Sequence, residues 1–171
     1  MAANNDDSKK TSYTQALEGY KGQSLPSTGI PVKIREVFLD SMLHYGFDTD
    51  AASMYKVAAF LTHLETKGFL GLQGRNKKSN NPETDDLDFH QKASFAIKHK
   101  LLHYHVGIPE YKQSPHGDLT SEYVIHYSFD EAKGYVDVIC IDYHPPLQLP
   151  YASDLDSPFL EENPFKIKLD E

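Results

Sequence analysis

The chain is short of several things that would settle its class at once. It has one cysteine, Cys140, and no tryptophan. An internal disulfide is therefore excluded, and Cys140, inside the apolar run VDVICIDY, reads as a buried structural thiol. Arginine is scarce, with only Arg35 and Arg75 among 171 residues. Arginine is the usual bidentate phosphate ligand. Its scarcity, together with a net charge of −8, argues against a general nucleic-acid or membrane coat, which calls for a basic balance. No run approaches transmembrane length. The start MAANNDDSKKTSYTQ lacks the apolar core of a signal peptide. A cytoplasmic protein with no membrane partner is the expectation.

Charge is nonetheless uneven. Between His90 and His116 the clear charges are Lys92, Lys98, Lys100 and Lys112 against Glu110. From Asp154 onward six carboxylates face only Lys166 and Lys168. A local basic groove is compatible with the acidic total.

The hydrophobic pattern changes period along the chain. Residues 1–30 are polar and punctuated by Gly19, Gly22, Pro26 and Gly29, which predicts a partly ordered arm. Within it LPSTG, Leu25–Gly29, reads as a turn-rich linker. From Pro31, Ile34, Val37, Phe38 and Met42 fall on one helical face that ends at Gly46. A second helix follows Thr49 or Asp50, either of which can cap it, and stops at Gly68. Residues 71–86 read as a long loop, and Thr84 to Lys98 as a third helix.

After Lys100 the period becomes two. LLHYHVGI, EYVIHYSF and YVDVICIDY read as three strands, the last two joined as a hairpin and the last one central because it is apolar on both faces. FKIKL, 165–169, is a possible added strand. The expected fold class is α+β, with N-terminal helices packed on a three- to four-stranded antiparallel sheet. The expected organisation is an arm over 1–30, one domain over 31–150 and an acidic tail over 151–171. The helices should cover one face of the sheet and leave the other for a site.

Nine histidines are many for this length. His103 and His105 share a strand face because side chains alternate along a strand. His126 can join them, His144 lies at the exit of the last strand, and His116 lies between. Such a cluster suits proton transfer, since imidazole titrates near neutrality. It also suits a metal. His103, His105 and Glu110 form HxHx4E, with Gly117 after six more residues. Two imidazoles and a carboxylate are ligands for Fe, Mn, Ni or Zn. This spacing resembles the second part of the first cupin motif, which implies a divalent metal cofactor held by these three residues in a metal-dependent enzyme.

A second resemblance covers roughly residues 85–146. LLHYHV, then EYVIHYSF, then VDVICIDYH in that order resemble the C-terminal half of RelE/ParE-superfamily toxins, the YafO-type ribosome-dependent endoribonucleases most of all. The resemblance implies a RelE-like fold and cleavage of mRNA by attack of the ribose 2′-hydroxyl on the neighbouring phosphate, with no metal or other cofactor. It implies His144 as acid or base, with His126, His103 and His105 supplying the second proton-transfer group. Lys98 and Lys100 would hold phosphate, and Tyr123, Tyr127 or Tyr143 would stack a base. The partners would be RNA or the ribosome, and a cognate antitoxin protein. A third reading is not enzymatic. Eleven tyrosines and an acidic tail fit an inhibitor, immunity protein or nucleic-acid mimic that neutralises a basic partner.

Overall fold

The structure, a computed structural model, describes residues 25–80, 88–145 and 147–166. Residues 1–24 of the arm expected over 1–30, the expected start of the third helix at Thr84 and residues 167–169 of FKIKL lie outside these residues.

Leu25–Gly29 is not a free linker. The Ile30 amide donates to the Leu64 carbonyl at 2.8 Å and the Phe69 amide to the Pro26 carbonyl at 3.0 Å, so the segment straps the end of the second helix. Gly68 sits there at φ 65°, where a Cβ would meet the Thr28 and Pro26 carbonyl oxygens at 2.4 and 2.6 Å. Only glycine turns the chain at that point.

The first element is a strand, β1 (Val32–Ile34), followed by helix α1 (Glu36–His44). Ile34 therefore belongs to a strand and not to the helical stripe the periodicity predicts. Three residues are too few to show a period, and β1 is fixed by a remote partner. α1 has no side-chain N-cap of its own. Its first amides are satisfied from the other end of the chain: Glu36 donates to the Pro158 carbonyl at 2.8 Å and Val37 to Ser157 Oγ at 3.1 Å. A 3-10 turn (Phe47–Thr49) leads to α2 (Ala51–Lys67). Asp50, and not Thr49, caps it, accepting from the Ala52 amide at 3.2 Å and the Ser53 hydroxyl at 2.7 Å.

The stretch read as a loop over 71–86 contains β2 (Asn76–Lys78). Then follow α3 (Phe89–Lys98), β3 (Leu101–His105), β4 (Lys112–Gln113), β5 (Leu119–Thr120), β6 (Tyr123–Asp130) and β7 (Tyr135–Tyr143). The fold is α+β. Its main sheet is neither purely antiparallel nor limited to four strands: five strands run in the order β1-β7-β6-β3-β2, and β1 pairs with β7 in parallel. β4 and β5 form a separate hairpin. β7 is an interior strand, as its apolar faces predict. No described helix is long and apolar enough to cross a membrane.

One sheet face carries Tyr104, Ile125, Tyr127, Val138 and Ile141. With Phe38, Met42, Val57, Leu61 and Leu64 from α1 and α2 it forms the main core. The other face carries His103, His105, His126, Cys140 and Asp142, as the cross-strand pairs His103↔His126↔Cys140 and His105↔Val124↔Asp142 require. It is not left open. Ala96 of α3, Leu101 and Ile139 form a second small core, joined by Phe95, Leu149 and Leu155.

β7 contains a bulge. His126 pairs with Cys140 while Tyr127 pairs with Val138, so Ile139 is one residue too many for the ladder. Val136 and Val138 face the main core before it, and Ile141 does so after it.

Candidate metal centre

β3 supplies two of the four clustered histidines through its period of two. His103 and His105 point away from the main core and are only 4% and 3% exposed. His126 stands directly opposite His103 on β6 and is 1% exposed. His144 is the first residue beyond β7, tied in place by its amide, which donates to the Glu122 carbonyl at 2.6 Å. Ring centroids are 5.8 Å apart for His103 and His105, 5.8 Å for His103 and His144, and 5.4 Å for His105 and His144. His103 and His126 are 6.3 Å apart.

His103, His105 and His144 each offer one ring nitrogen such that all three nitrogens lie within 4.8 Å of one another. Nitrogens around one tetrahedral ion, at about 2.0–2.1 Å from it, are about 3.4 Å apart.

The outer nitrogens of the β3 pair are already held. Nδ1 of His103 is 2.9 Å from the hydroxyl of Ser79, which is fully buried beyond β2. Nδ1 of His105 is 3.0 Å from the Ser121 carbonyl and 3.0 Å from the Ser121 amide nitrogen, so Ser121 can hold it as a donor or as an acceptor. In the tautomer whose Nδ1–H is donated outward, Nε2 presents a lone pair; ligating histidines are commonly fixed in tautomer and orientation in this way. Nε2 of His105 is buried and has no hydrogen-bond partner among the described residues. Neither nitrogen of His126 has one. A buried polar group left unpaired costs about 1–3 kcal/mol, so these rings stand ready for a partner.

All three buried rings are held neutral. Burial is the largest cause in each case. It pushes His103 down to about 2, with the neighbouring His126, His105 and His144 adding to the effect. It pushes His105 down to about 4 against the opposing pull of the Ser121 carbonyl. His126 falls to about 4 despite Asp142 nearby. Neutral imidazole is the ligand form. A general acid or base working near pH 7 needs the opposite tuning.

The other expected site residues are scattered. Glu110 is exposed and belongs to no ligand group among the described residues; His144 takes the third place that HxHx4E gives to Glu110. Tyr127 cannot stack a base: it is fully buried in the main core, with its hydroxyl donating to Asn76 Oδ1. Tyr123 packs against Tyr45 and Phe47 at 5.1 and 4.8 Å, and Tyr143 is 43% exposed beside it. Both lie on the main-core face of the sheet. Lys98 is exposed, and Lys100 pairs with Asp130 at 3.3 Å. Both line a groove with Lys133, Arg35, Asp137 and Asp156, and His144 is not among its lining residues. Lys100 precedes His103 by three residues, about 10 Å along a strand. His116 is exposed in the β4–β5 turn.

Sequence reasoning missed Ser79, Ser121 and Gly74. A Cβ on Gly74 would lie 2.0 Å from the His105 carbonyl oxygen. None of the three belongs to a motif, and each is placed by strand pairing. A cleft of about 570 Å³ lies between α3, β7 and residues 148–154, with Cys140 and Asp142 lining it; none of the four clustered histidines is among its lining residues. No protein-family model matches the chain, and no curated protein and no solved structure shows a significant match to it.

Proposed function

We propose that this protein is a metal-dependent enzyme whose ion is held by His103, His105 and His144. One observation carries the reading: three imidazoles, two buried and neutral with their outer nitrogens held, place their ligand atoms within 4.8 Å of one another. Three histidines and an open position are the donor set of catalytic zinc, and imidazole also suits Fe, Cu and Ni. An ion so held is a Lewis acid that makes bound water acidic enough to attack near neutral pH, which favours a hydrolytic reaction. The chain's own contribution is to fix three imidazoles, two of them buried and neutral.

Metal analysis of the purified protein after loading with zinc or cobalt tests this. One ion per chain is expected, with His103→Ala and His144→Ala each reducing occupancy below about one tenth. A wild-type protein that takes up no ion under these conditions overturns the reading. An endoribonuclease of the RelE/ParE type is the competing reading. It draws on the same histidines, and RNA cleavage by the metal-free protein would establish it.

A further inference from the structure

We propose that the cleft beside α3 is the mouth of the three-histidine centre and that His126 is the hydrogen-bonding link between them. This rests on the metal reading above. His126 lies between the two by register: it faces His103 on one side and Cys140, which lines the cleft, on the other. It is 1% exposed, and neither of its nitrogens has a hydrogen-bond partner among the described residues. It is also outside the group whose ligand atoms converge, so it is not the fourth ligand.

A neutral imidazole carries one N–H donor and one acceptor nitrogen. The protein around His126 satisfies neither. Cys140 is a weak donor, Ile139 is apolar, and Asp142, whose Oδ1 accepts from the Tyr45 hydroxyl and the Tyr143 amide, makes no hydrogen bond to the ring. A water on the ion and a polar group in the cleft meet the two needs together, one on each side of the ring. His126 is in this sense a positioning residue: it orients the ion's water toward whatever the cleft holds.

The lining of the cleft selects the chemistry of that ligand. Asp88, Asp142 and Asp154 stand against Lys92, with the amides of Gln91 and Gln148 and the apolar wall of Phe95 and Leu149. A small polar molecule with a cationic or hydrogen-bond-donating group fits this lining. A polyanion does not.

Cobalt(II) is the probe, because its visible spectrum reports the ionisation of bound water. The wild-type protein, His126→Gln and His126→Asn are each loaded with cobalt, checked for unchanged thermal melting and titrated with pH. Both variants are expected to keep one cobalt per chain while the midpoint of the spectral transition moves by about one pH unit. In a second arm, Ala152→Trp narrows the cleft and is expected to slow removal of cobalt by a chelator about tenfold. If the wild type binds no cobalt, the metal reading itself fails. If cobalt binds and the His126 variants leave the midpoint in place, the link is overturned and the centre stands. Loss of cobalt from a folded His126 variant makes it a ligand and also overturns the proposal. Should neither variant fold, the chelator rate decides, and an unchanged rate for Ala152→Trp refutes the cleft as mouth.

Discussion

His103 and His126 face each other across β3 and β6, with ring centroids 6.3 Å apart and exposures of 4% and 1%. Two imidazoles in that position cannot both be charged without water, and the fold keeps them neutral. The consequence is a stability that depends on pH.

Unfolded, each ring titrates near 6.5. Folded, His105 and His126 titrate near 4 and His103 near 2. Above pH 6.5 the rings are neutral in both states and cost nothing. As pH falls through 6.5 the unfolded chain takes up protons the folded one refuses, and stability declines until the folded values are reached. Each ring contributes a loss of about 1.4 kcal/mol per pH unit in that window. Urea midpoints of the metal-free protein should fall steeply from pH 6.5 to 4.5. A flat profile would show that the rings are not buried as described.

Gly74 fits under the His105 carbonyl with no room for a methyl group, since a Cβ would lie 2.0 Å from that oxygen and 2.7 Å from the Tyr111 hydroxyl. Gly74→Ala should push on the strand that presents His105. We expect a loss of about 1–3 kcal/mol in stability and weaker metal binding, read by urea unfolding and by cobalt titration. Unchanged affinity in a folded variant would mean that His105 is not held by this contact.

Arg35 and Asp137 form a two-pronged pair, Nε to Oδ1 at 2.8 Å and Nη2 to Oδ2 at 2.7 Å, with side chains 12% and 10% exposed. Removing one partner strands the other's charge. Arg35→Met and Asp137→Leu should each cost about 3 kcal/mol or more, and the double variant much less than their sum. A double-mutant cycle by denaturant unfolding measures the coupling, and additive losses would contradict it.

Tyr127 separates a core role from a binding role. Tyr127→Phe should cost about 1 kcal/mol through loss of the hydrogen bond to Asn76, and should leave metal binding unchanged. If it instead abolished binding of RNA by a stable protein, Tyr127 would have to be reached by ligand, against its full burial.

What could be read in advance was whatever is local and periodic. The alternation in LLHYH placed His103 and His105 on one face and Leu102 and Tyr104 on the other, and Gly68 marked the end of α2. What could not be read was set by distant partners. β1 and β2 are three residues each and exist because β7 and β3 pair with them. Glu110 shared a motif with His103 and His105 and still lies apart from them, while His144, 39 positions beyond His105 by residue number, completes the group. Spacing along a chain says little once a long connection intervenes. One clue was legible and passed over: the apolar residues of VDVICIDY fall at 136 and 138 and then at 139 and 141, a break in phase.

That break reaches beyond β7 itself. The extra residue at Ile139 reverses which way every later side chain of the strand looks. Cys140, Asp142 and then His144 share the histidine side because the count restarts there. If the ladder ran on without the bulge while Ile139 stayed, every clustered histidine would remain in the sequence and the last half of the strand would still turn inside out, with Asp142 toward the hydrophobic interior and His144 away from His103 and His105. The cluster is thus specified by a parity as well as by its residues, and a one-residue slip in the pairing of the last half of β7 would disperse it as thoroughly as the loss of a histidine.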